Sequence, residues 1–145
     1  MEGPAGGLDE GDGALNRRGG YGLAALAVFA IEVVIALFVD DAVVRPYVGD
    51  VLAVVLVYLA VRWVTPLGPL TSVGAALALA VIIELGQYVH VLSALGLEHN
   101  RLARTVLGGV FDPKDLVAYA AGAALVLVIE RFRSVSLTPP PAARR

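Results

Sequence analysis

Tyr21 to Val39 is a run of nineteen residues in which Glu32 carries the single charge. That run constrains the fold more than any other feature of the chain. As a helix rising about 1.5 Å per residue it would reach about 28 Å, close to the roughly 30 Å hydrocarbon core of a bilayer. Two further apolar runs follow at Val51–Val64 and Leu70–Val89, and a fourth opens at Phe111–Asp115 and extends to Arg131. In lipid a spanning segment must satisfy its own backbone hydrogen bonds, which leaves helices and closed barrels. Runs of this length predict an all-α fold: an integral membrane bundle of about four transmembrane helices. Composition agrees, with 58% hydrophobic and 17% charged residues and a mean hydropathy of +0.78. Soluble domains hold roughly 45–50% apolar and about 25% charged residues.

The connections are read from their punctuation. Asp40-Asp41 stops the first span, and Ala42–Asp50 reads as a loop because Pro46 biases Arg45 away from helix and Gly49 follows. The second span is short, and Arg62 can carry its guanidinium out to the headgroups. Tyr21, Trp63 and Tyr88 read as interfacial anchors. Thr65–Pro69 is a tight break between antiparallel helices. Val91–Val110 mixes Leu with Glu98, His99, Asn100, Arg101 and Arg104, which predicts a short interfacial or re-entrant helix between spans three and four, ended by Gly108-Gly109. Asp112 and Pro113 suit the N-cap and first position of span four, with Asp115 completing a capping-box pattern. Gly74, Ala75, Ala76, Ala78 and Ala80 in span three, and Gly122 among alanines in span four, read as close-packing surfaces.

Residues 1–20 are rich in Gly and hold four acidic residues but only two Leu, so they are expected to form a disordered tail. Residues 21–133 are expected to form one four-span domain, and 134–145, rich in Pro and Arg, a second disordered tail. The acidic start and Glu32 argue against a cleaved signal peptide. Of the eleven Lys and Arg residues, seven fall on the side of the two termini: Arg17, Arg18, Arg62, Arg131, Arg133, Arg144 and Arg145. Arg45, Arg101, Arg104 and Lys114 fall on the other. The positive-inside rule predicts a multi-pass plasma-membrane protein with both termini in the cytoplasm.

The net charge of −2 argues against nucleic acid as a partner. With no cysteine and no zinc motif, no cofactor or metal is expected. An ionisable group in hydrocarbon needs a reason, since it costs roughly 2.5–3.5 kcal/mol at mid-span. Glu32 and Glu84 are the two clear cases. Gln87 shares a helical face with Glu84, and Arg101 and Arg104 are three apart on one cationic face. With Asp112 and Asp115 these residues make the candidate polar site, all expected on the outer side of the membrane. Capping alone also explains Asp112 and Asp115, and glutamate–arginine pairs would serve simply to hold helices together.

The string Glu98–Arg104, then Gly108 and Phe111–Asp115, together with Arg45–Asp50 and Glu84–Gln87, resembles a small bacterial membrane family known as domain of unknown function 2809. The likeness extends over about residues 20–131 and implies a multi-span membrane protein of no known activity. More distantly, Glu84-x-x-Gln87, an arginine, Asp112-x-x-Asp115 and Gly122 are similar to VanZ-like membrane proteins, which are associated with resistance to teicoplanin-type antibiotics. This chain has Tyr119 where those proteins tend to have Asn.

Three functions stay open. The first is an accessory protein of the cell envelope, working as an oligomer or through a membrane-protein partner. The second is binding or processing of a lipid-linked phosphate at the outer leaflet, with Arg101 and Arg104 holding phosphate and Glu84 as acid or base. The third is a small proton-coupled transporter using Glu32 and Glu84.

Overall fold

The computed structural model describes residues 8–41, 44–101, 103–104 and 112–136. All regular structure among them is helical: α1 (Leu8–Phe38), α2 (Val44–Val64), α3 (Pro69–Tyr88), the single-turn α4 (Val91–Ala94) and α5 (Pro113–Ser136). Among the described residues, three segments are long and apolar enough to cross a membrane, Asn16–Phe38, Arg45–Val64 and Pro69–Tyr88. The fourth expected span is a helix, but a charge-poor one over a shorter stretch. Leu116–Ile129 is fourteen residues without a charge, bounded by Asp115 and Glu130, and it covers about 21 Å.

Three boundaries differ from those expected, one of them the end of α5, which runs to Ser136, inside the stretch 134–145 expected as a tail. α1 begins at Leu8, inside the stretch expected as a tail. α2 begins at Val44, so most of the expected loop Ala42–Asp50 is helix. Pro46 lies in the first turn, where its missing N–H would have no intrahelical acceptor in any case. Asp50 is therefore in the second turn of a long helix. Pro69 opens α3 in the same manner, after Gly68 in extended conformation, and the Ser72 hydroxyl donates back to the Gly68 carbonyl at 2.9 Å.

α3 stops at Tyr88 because His90 turns left-handed, with φ 53° and ψ 43°. Gly96, at φ 65°, ends the turn that follows. Asn100 then caps a new turn, its side-chain oxygen accepting from the Ala103 N–H at 3.1 Å. Arg101, Ala103 and Arg104 are helical, but Leu102 and residues 105–111, including Gly108-Gly109, lie outside the described residues. The same holds for the C-terminal tail beyond Ser136. The start of α5 is as read from the sequence: Asp112 Oδ1 accepts from the Lys114 N–H at 3.0 Å.

α2 is the hub. It packs on α1, α3 and α5; α3 also packs on α5, while α1 packs on α2 without lying along α3. The core is thin: Tyr21, Val54, Tyr58, Val73, Ala76, Tyr119, Ala123 and Val126. In lipid the force between helices comes from packing and interhelical hydrogen bonds, so backbones must approach closely. At Gly122 they do. A Cβ there would stand 2.7 Å from the Val51 carbonyl oxygen and 3.1 Å from Val54 Cβ. Of the small residues in α3, Ala76 is buried in the core, whereas Gly74, Ala75 and Ala78 face outward. Large apolar side chains also face outward, among them Leu26 and Phe29 of α1, Leu70 and Ile82 of α3, and Val117 and Val128 of α5.

Candidate functional site

The polar side chains fall into two groups at opposite ends of the bundle. The first is built from Glu84 on α3, Asp50 on α2 and Tyr119 and Asp115 on α5. Glu84 is 2% exposed. Its Oε1 accepts from the Tyr119 hydroxyl at 2.8 Å, and its Oε2 is buried without a hydrogen-bond partner. Asp50 and Asp115 lie beside each other, with Glu84 nearby. The adjoining cavity, about 70 Å³, is lined by apolar residues such as Val54, Val57 and Leu79, with Tyr119 at its edge.

The second group was not anticipated as a site. Glu130 of α5 accepts from the hydroxyls of Tyr21 on α1 (2.8 Å) and Tyr58 on α2 (2.9 Å). It also lies 3.5 Å from Arg133 Nη1. Arg62 donates to the Tyr21 hydroxyl at 3.1 Å and to the Leu67 carbonyl. The Tyr21 ring meets Tyr58 edge-on at a centroid distance of 6.4 Å, and the guanidiniums of Arg62 and Arg133 stand 4.7 and 5.1 Å from its centroid. Tyr21, read from sequence as an interfacial anchor, is thus buried and ties α1 to α5. Arg62 is likewise held by the protein.

The residues expected to form one polar site are dispersed. Glu84 and Asp115 come together with Asp50. Asp112 caps α5. Gln87 is half-buried on α3. Glu32 sits on α1, which does not pack along α3, and its Oε1 is buried without a partner. Arg101 and Arg104 are exposed beyond α4. Among the described residues, no three His, Asp or Glu side chains gather as a metal-ligand set.

A signal for the missed residues does exist in the sequence. On α2, Asp50, Val54, Tyr58 and Arg62 recur every four residues. On α5, Asp115, Tyr119, Gly122, Ala123, Val126 and Glu130 recur at three and four. Each row is one helical stripe. Set antiparallel, the two stripes pair acid with acid at one end and tyrosine with glutamate at the other. A tyrosine hydroxyl within an apolar stripe needs a partner, and the partner is the nearest carboxylate on the facing helix.

No curated protein and no solved structure matches the chain. A family model described as "Protein of unknown function (DUF2809)" matches residues 39–123. The matched stretch holds α2, α3, α4 and the first half of α5, and so contains Asp50, Glu84, Asp115 and Tyr119; α1 and Glu130 fall outside it. With more than half of its length matched, the chain belongs to the DUF2809 family of proteins of unknown function.

Proposed function

We infer that this chain is an accessory protein of a bacterial cell envelope, seated in the plasma membrane with four spans, α1, α2, α3 and α5, and with both termini in the cytoplasm. The observation that carries this reading is the use made of the polar groups. Tyr119–Glu84, Tyr21–Glu130 and Tyr58–Glu130 join one helix to another. Such a bundle is built to persist in lipid, and its function then lies in what it holds nearby. The distant likeness to VanZ-like proteins through Glu84, Gln87, Asp112, Asp115 and Gly122 fits an envelope role. One membrane domain over residues 21–133 is part of the same reading.

The absence of cysteine makes a labelling test clean. Single cysteines at Leu67 and Ser134 are expected to react with a membrane-impermeant maleimide only after spheroplasts are opened, and one at Ser93 before. Labelling of Ser134→Cys from outside would remove the fourth span, and recovery of the chain in the soluble fraction would end the reading.

A second reading, proton coupling, draws on Glu84 Oε2, buried without a partner beside the Asp50–Asp115 pair. Proteoliposomes carrying an internal pH dye test it. Proton flux that is lost in Glu84→Gln would favour coupling over the accessory role. The outer-leaflet phosphate reading draws less support, because Arg101 and Arg104 stand exposed beyond α4 rather than around a cavity with Glu84.

A further inference from the structure

At the Glu130 end, between the middle of α1 and the α2–α3 break, lies a cavity of about 250 Å³ bordered by Arg17, Arg18, Tyr21, Arg62, Thr65 and Pro66. Liquid water occupies about 30 Å³ per molecule, so the space admits a phosphate group together with part of its hydration. Three arginines border it and, among the described residues, no carboxylate does. The nearby acid, Glu130, is already engaged by two tyrosine hydroxyls and Arg133. Arg62 is fixed by the Leu67 carbonyl, the Tyr21 hydroxyl and the Tyr21 ring. A guanidinium held rigid at the border of such a space is suited to an oxyanion, since charge-assisted bonds from arginine to phosphate are both strong and directional.

A second cavity starts at the next residues of the same helices. Gly19 and Gly22 follow Arg18 and Tyr21 on α1, and Trp63 follows Arg62 on α2. From there an apolar groove of about 640 Å³ runs between α1 and α2 past Leu26, Phe29 and Leu56. At its start Gly22 lets the Trp63 indole close onto α1, because a Cβ there would come within 2.9 Å of it. Cationic pocket and apolar groove are thus bordered by consecutive residues of the same two helices.

We propose that the pocket and groove together bind an anionic phospholipid, its phosphate among Arg17, Arg18 and Arg62 and an acyl chain along the α1–α2 groove. The inference rests on the membrane reading above and goes beyond it. The shared chemistry is a phosphate group, and the groove selects the lipid over free phosphate as its source.

Trp63, the single tryptophan of the chain, borders the groove and serves as the probe. The full-length protein is reconstituted in phosphatidylcholine vesicles that contain brominated-acyl phosphatidylglycerol or brominated-acyl phosphatidylcholine. The anionic quencher is expected to half-saturate at a mole fraction at least about fivefold lower, given the attraction of each arginine for an anionic lipid. Arg17→Gln/Arg18→Gln is expected to abolish the preference and leave quenching by the zwitterionic lipid unchanged. Arg144→Gln/Arg145→Gln, which removes the same charge elsewhere, is expected to retain it. Equal quenching by the two lipids, or an equal loss in both double variants, overturns the site. Displacement of phosphatidylglycerol by millimolar inorganic phosphate overturns the lipid assignment in favour of the free anion. No quenching by either lipid overturns the membrane reading along with the inference.

Discussion

Gly122→Ala and Gly74→Ala should move stability in opposite directions, although both replace a glycine inside a helix. At Gly122 the new methyl would sit 2.7 Å from the Val51 carbonyl oxygen, 3.1 Å from Val54 Cβ and 3.3 Å from Val51 Cα. A carbon next to a carbonyl oxygen needs about 3.3 Å, so α2 and α5 must part by about 0.6 Å. The nearest atom is backbone and cannot rotate aside. Overpacking of this kind costs about 1–3 kcal/mol, against a gain of about 0.5–1 kcal/mol from replacing glycine in a helix. The net expectation is a loss of about 1–2 kcal/mol, a factor of about 5–30 in the folded-to-unfolded ratio. At Gly74 a Cβ meets nothing within 4 Å, so the helix gain of about 0.5–1 kcal/mol stands alone. Both variants are compared with the parent by SDS titration of the purified protein in micelles, followed by far-ultraviolet circular dichroism. A Gly122→Ala midpoint at or above the parent's, or shifts of the same sign in both variants, would refute the close α2–α5 approach.

Tyr119→Phe strips Glu84 Oε1 of its donor while Oε2 already lacks one; the expected loss is about 1–3 kcal/mol, and an unchanged midpoint would mean that the pair is not made. At Glu130, Leu should cost more than Gln by about 1–2 kcal/mol, because Gln keeps an acceptor for the Tyr21 and Tyr58 hydroxyls. A cycle with Tyr58→Phe should return a coupling energy above about 0.5 kcal/mol, and simple additivity would speak against the bond. Asp112→Ala removes the cap on the Lys114 N–H and should cost about 1 kcal/mol, whereas Asp112→Asn should stay near the parent; equal effects of the two would assign the loss to charge rather than capping.

The sequence by itself determined the elements. Apolar runs of bilayer length predict helices, so α1, α2 and α3 were legible from composition and spacing. The entry to α5 was legible as well, because Asp112 and Pro113 act within one turn of themselves. Gly122 was recognisable as a packing position from its alanine neighbours. Local rules misled where the punctuation was tolerable: Pro46 in a first turn does not stop a helix, and α2 absorbed the expected loop. Tertiary structure decided which polar groups meet. Glu130, near the end of the fourth apolar run, becomes the acceptor for two tyrosines only once α5 lies antiparallel to α2 with Tyr21 of α1 beside them. Arg101 and Glu84 were expected in one polar site, yet the left-handed residue His90 ends α3 and the chain carries Arg101 to an exposed turn. The reason is range. Helix formation and caps depend on residues within about four positions of each other, whereas the partner of a buried hydroxyl or carboxylate depends on helix order and register, set by contacts such as that of Gly122 with Val51, seventy-one positions apart in the chain.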